Sequence, residues 1–146
     1  HEELEARHEI ELEKYIKKVQ IESRIIGELA HSHVIPAALR YQSRLSENIR
    51  GLKDAGLSDA AFSTQRNLLE KLSEHANQVS TLVDKMIAAR KACNQLSDTR
   101  DKAIAYQETV KDAYFDSIRY HVDKLELIVD DREWDLPKYR EMLFLR

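Results

Sequence analysis

The chain has 146 residues, 34% of them charged and 42% hydrophobic, with only three glycines and two prolines. That composition suits one helix-rich domain, poor in turns and strand formers. The 23 basic and 26 acidic residues give a net charge of −3. No basic stripe is present to track phosphates, and the apolar runs are too short to cross a bilayer, so neither a nucleic acid nor a membrane is an expected partner. No signal peptide is visible, and the single Cys93 excludes an internal disulfide, which fits a reducing, cytoplasmic setting. The chain begins at His1 without an initiator Met, so either a processed product or, more in keeping with the start, a fragment cut from a longer protein is expected.

The first element runs Leu12, Ile16, Val19, Ser23, Ile26, Ala30, in steps of 3 and 4 that place one seam along a helix. Pro36 interrupts, because it lacks an N–H and disfavours helix at Ile35. The pattern then resumes through Ile35, Ala38, Gln42, Leu45, Ile49 and Leu52. The economical expectation is one helix of roughly 50 residues, kinked near His33–Pro36; two helices with a tight corner are the alternative. Gly51 and Gly56 can end it. Ser58 then reads as an N-cap, with Leu57 and Phe62 as a hydrophobic staple. The second helix carries Leu69, Leu72, Ala76, Val79, Val83 and Met86, and fades around Cys93–Leu96. Ser97 or Asp98 caps the third, which carries Phe115, Ile118, Val122, Leu125 and Val129 and stops at Asp130–Asp131.

The last stretch, "DDREWDLPKYREMLFLR", holds the only Trp. Asp135 can cap a short final helix with Pro137 in its first turn. Trp134, Leu136, Tyr139, Met142, Leu143 and Phe144 then form an apolar set. Each large apolar side chain is worth about 1.5–3 kcal/mol when fully buried, so this tail is expected to dock on its own bundle, another part of the protein or another subunit. The fold expected for residues 1–146 is therefore a single all-α domain. Its architecture is an antiparallel bundle of three long helices, the first kinked near Pro36, plus a short C-terminal helix. Because the first helix outlasts the others, one of its ends or faces should meet something else.

Candidate chemistry is sparse. Glu-x-x-His occurs at Glu5–His8 and Glu28–His31, but both lie on one helix, roughly 35 Å apart at 1.5 Å per residue, and cannot share a metal within one chain. His31 and His33 stand two apart and point to different sides, as partly solvated residues beside Pro36. His121 borders the seam at Val122, where it packs and hydrogen-bonds. Cys93 has no His and Asn near it in sequence and reads as a buried small residue. No phosphate-binding glycine loop and no nucleophile elbow is present. No catalytic, cofactor or metal residue is assigned.

Two stretches carry a family resemblance: "KYIKKVQIESRIIGELAHSHVIPAALRYQ" and "KAIAYQETVKDAYFDSIRYHVDKLELIVDDREWDLPKYREMLFLR". Together they resemble the C-terminal region of type III glutamine synthetases, the large bacterial form. The most specific pieces are "RYHVDKLELIVDD" and the closing W-x-L-P-K-Y-R-E-M-L-F. The resemblance implies a parent enzyme that ligates ammonia to glutamate using ATP and Mg2+ or Mn2+, through a γ-glutamyl phosphate. It implies catalytic glutamates and arginines in upstream domains, none of which matches a position in this chain. It also implies a dodecamer, in which this domain contacts the catalytic domains and neighbouring subunits. On that reading the fragment is inactive alone and its role is structural, oligomer-bracing or regulatory. The competing readings are a free-standing coiled-coil adaptor and a metal-binding helical bundle.

Overall fold

The computed structural model describes residues 2–137, and among them there is no strand. Three long helical runs account for most of the chain. The first is α1 (Glu2–Leu29), a π-helical turn (Ala30–Val34) and α2 (Ile35–Asp54), continuous in sequence. A 3-10 turn (Asp59–Phe62) leads into α3 (Ser63–Cys93). The third run is α4 (Thr99–Ala105), a π-helical stretch (Tyr106–Phe115) and α5 (Asp116–Ile128). The short C-terminal helix expected after Asp135 falls mostly beyond residue 137, outside the described residues.

Pro36 does not make a corner. It sits in the first turn of α2, directly after the π turn. In an α-helix the carbonyl of residue 32 would seek the N–H of residue 36, which proline lacks. A π turn moves each carbonyl's partner one residue along, so the helix passes the proline without breaking.

The run ends at Gly56, whose φ of +85° is open to glycine at little cost. The N–H of Gly56 donates to the Lys53 carbonyl (3.0 Å) and that of Leu57 to the Leu52 carbonyl (3.1 Å), the paired bonds of a Schellman end. Gly51 stays inside α2, because the glycine five residues on supplies the left-handed position. Ser58 is extended, as a cap should be, but its hydroxyl makes no cap bond; its carbonyl instead takes the N–H of Ala61 (2.9 Å) to close the 3-10 turn. The expected staple is lopsided: Phe62 is buried while Leu57 stays about half exposed. Phe62 lies instead under two cations, Arg66 at 5.3 Å and Lys53 at 5.7 Å from its ring centre. At the third run Asp98 is the cap, its carboxylate accepting from the Asp101 N–H at 3.0 Å.

Two compact units can be distinguished, and the division passes through α3 between Ser80 and Thr81. One unit comprises residues 1–29 and 81–119. In it α1 packs on α4 and the π stretch, with Ile16, Val19, Ser23 and Gly27 buried on α1. Val83, Met86, Cys93, Ala103, Tyr106, Val110 and Ile118 complete its core. The α1 seam uses Gly27 where the sequence pattern had placed Ile26, which is half-buried. The other unit comprises residues 30–80 and 120–146, and its core holds Val34, Ala38, Leu45, Phe62, Leu72, Val79, Leu125, Val129 and Trp134.

Candidate docking site

In the second unit α5 is followed by a tight turn that the acids themselves build. The Asp130 carboxylate accepts from the Arg132 N–H (2.9 Å), and the Asp130 carbonyl accepts from the Glu133 N–H (3.0 Å). Asp130, where the helical pattern stops, is half-buried and organises the turn, while Asp131 is exposed.

Two arginines one helical turn apart on α2 grip this segment. Arg40 donates through Nε to Glu133 Oε2 (3.1 Å), and through Nη2 to the Glu133 carbonyl (2.9 Å) and to Asp135 Oδ2 (3.2 Å). Arg44 Nη1 stands 3.5 Å from both Asp130 Oδ2 and Glu133 Oε1. His33, in the π turn, brings Nδ1 to 4.0 Å from Asp135 Oδ2. All five of these arginine contacts join residues more than 80 apart in sequence, so the grip ties the end of the described chain to α2. Trp134, between Glu133 and Asp135, is buried at 8% exposure; Leu136 is half-buried. Tyr139, Met142, Leu143 and Phe144, the rest of the expected apolar set, lie outside the described residues. The arginine grip was missed in the sequence because it joins residues far apart; the acids at 130, 131, 133 and 135 were its only local sign.

The same unit holds a ring cluster. His75 of α3 and His121 of α5 bring their Nδ1 atoms to 2.9 Å, with ring centroids 5.2 Å apart. Tyr120 meets both rings edge-on, at 6.3 and 5.1 Å. Burial and the neighbouring His75 push the His121 imidazole below its usual 6.5, against a smaller upward pull from Glu74. His121 thus packs and hydrogen-bonds, as its place beside Val122 suggested.

In the first unit Tyr106 is fully buried. Its hydroxyl donates to Asn94 Oδ1 and accepts from Gln20 Nε2 (3.0 Å). Burial raises the phenol above 10, partly offset by the Gln20 bond. Cys93 is buried, 3.4 Å from the Thr109 hydroxyl. Among the described residues no three His, Cys, Asp or Glu side chains stand together in a way that could hold a metal ion. Glu5, His8, Glu28 and His31 are all exposed and make no such group. No described helix is long and apolar enough to cross a membrane.

Among the described residues the arrangement offers a helical body, a clamped segment around Trp134, and large side chains facing out. Leu127 is 81% exposed, and Ile21 and Ile25 about half exposed, on the side of α1 opposite Ile16, Val19 and Ser23. An all-helical domain is the class these features define.

The glutamine synthetase C-terminal domain family matches residues 1–53. Similarity to individual proteins extends over nearly the whole chain. A glutamine synthetase of Bacteroides fragilis is 44% identical over 99% of the chain. A type-3 glutamine synthetase of Dictyostelium discoideum is 31% identical over 99%, and a glutamine synthetase of Butyrivibrio fibrisolvens 27% identical over 98%. The chain belongs to the C-terminal domain of the glutamine synthetase family. It spans about a fifth of the length of each of these relatives.

Proposed function

We propose that this chain is a non-catalytic interaction domain of a type III glutamine synthetase. The carrying observation is that the match fills 99% of the chain and only 20% of the relative. On this reading ATP, Mg2+ or Mn2+ and the ligation of ammonia to glutamate belong to the rest of the parent enzyme. The outward-facing Ile21, Ile25 and Leu127 are the surfaces offered to the catalytic domains or to neighbouring subunits of an oligomer; of the expected docking set, Trp134 is buried and Leu136 half-buried in the second unit, while Tyr139, Met142, Leu143 and Phe144 lie outside the described residues.

The three helical runs are read here as an antiparallel bundle; the short helix expected after Asp135 lies mostly outside the described residues. Side-chain pairings support the bundle within each unit. Gln20 meets Asn94, and Gly27 faces Val83 at 3.8 Å for an added Cβ. Gln42 meets Ser73, and Asn48 meets Gln65. In both cases the number on the second run falls as that on the first rises, whereas Glu9 and Gln20 pair upward with Thr99 and Tyr106 on the third.

The test has two arms. The 146-residue chain alone should form no glutamine from glutamate, ammonia and ATP. Added to the Bacteroides fragilis enzyme lacking its matching fifth, it should bind and co-elute. Synthetase activity from the chain alone would overturn the reading. So would a stable dimer of the chain that ignores the truncated enzyme, the result expected of a free-standing coiled-coil adaptor.

A further inference from the structure

We propose that His75 and His121 form a proton-operated latch between α3 and α5, closed while at least one of the two rings is neutral and opened when both are charged.

The geometry is that of one shared proton. With the Nδ1 atoms 2.9 Å apart and the ring centroids only 5.2 Å apart, the two nitrogens lie between the rings and face each other. A bond at that distance needs one Nδ1–H to donate and one bare Nδ1 to accept. Two neutral rings satisfy it with opposite tautomers. One imidazolium and one imidazole also satisfy it, with charge assistance. Two imidazolium rings cannot: both nitrogens carry protons and both rings carry charge, so the contact becomes repulsive.

The surroundings fit a switch rather than a static core bond. Both rings are half-buried, and Tyr120, packed edge-on against them, is 55% exposed, so water reaches the pair. The charges acting on His121 are those of His75 and Glu74, and the Lys124 ammonium lies 5.5 Å from the centre of the Tyr120 ring. Of these, His75 opposes a second proton and Glu74 favours it. The latch also sits upstream of the docking segment, since α5 runs straight into the turn at Asp130 that Arg44 and Arg40 hold. His33 works with the opposite sign: protonated, it gains attraction to Asp135. It must be removed for the latch to be read alone.

The direction follows from His121, whose imidazole sits below its usual 6.5 in the folded chain. The stability the pair contributes is complete above 6.5 and is lost as pH falls through the lower folded value. The experiment uses the 146-residue chain carrying His33→Gln, with imidazole nitrogens followed by NMR. At pH 8 one ring of the pair should show a protonated Nδ1 and the other a bare one. On acidification the second protonation should have its midpoint below 6.5, and amide exchange along α5 should rise about tenfold there. In His75→Gln/His121→Gln, whose amides stay neutral, that rise should vanish. Should the double variant fail to fold, His75→Gln alone should move the His121 midpoint back up toward 6.5. Two independent titrations at the ordinary value, or an unchanged rise in the glutamine variants, would overturn the latch.

Discussion

Tyr106 shows what a single residue settles in this molecule. It is fully buried, yet its hydroxyl has both a donor and an acceptor at hand, Gln20 and Asn94, on two different elements. Tyr106→Phe keeps the packing and removes the hydroxyl's two bonds, leaving Gln20 Nε2 to reach Asn94 Oδ1 directly at 3.2 Å. Gln20 is half-buried and Asn94 exposed, so both recover water, and the expected cost is about 1 kcal/mol in urea unfolding rather than the larger penalty of stranded groups. Alkali provides an independent sign. Burial holds the folded phenol above 10, so the native state keeps a proton that the unfolded chain gives up. Stability should therefore fall as pH rises from 10 through the higher folded value, and less so in the Phe variant. The sequence did not disclose this residue. Tyr106 begins a π-helical stretch, where i to i+5 pairing displaces the 3-and-4 spacing on which the seams were read. The hydroxyl of Thr109 donates to the Ala105 carbonyl at 2.6 Å, offering the backbone an alternative to the α bond.

At the scale of elements the periodicity was a good guide where the helix is regular. Leu72, Ala76, Val79, Val83 and Met86 are all buried, as are Ile118, Leu125 and Val129. It erred where a small residue permits close approach. Gly27 occupies the α1 seam, and no count of apolar side chains selects a glycine. A methyl added there would meet Val83 Cγ1 at 3.8 Å, an ordinary contact. Gly27→Ala is thus expected to stabilise by about 0.5–1 kcal/mol, through helix propensity alone, and to raise Tm by a few degrees. Gly56→Ala is the counter-case. It has open space around it but a φ of +85°, so it should lose about 1–2 kcal/mol. A calorimetric scan that ranked both substitutions the same way would show that the α1 seam or the Schellman end has been misassigned.

At the scale of the whole chain, the long helices and the apolar ending could be read from one sequence; the way the ending is held could not. The C-terminal segment is fixed by two physically different anchors, and they should respond differently. Arg40 is nearly half exposed, so its ion pairs with Glu133 and Asp135 are screened and worth about 1 kcal/mol or less together. Its bond to the Glu133 carbonyl does not depend on a partner's charge, and survives salt better. Trp134, at 8% exposure, carries the hydrophobic share, and truncating it should cost about 3 kcal/mol. Since Trp134 is the only tryptophan, its emission reports the anchor directly. It should be blue-shifted relative to a free indole, and stay so when salt is raised to about 1 M, where the Debye length is near 3 Å. Arg40→Gln should shift it partway to the red and make the remaining shift insensitive to salt, because the screened pairs are already gone. A free-indole spectrum at low salt in the unsubstituted chain would mean that Trp134 is not held. The arginine grip would then not be what fixes the segment to α2.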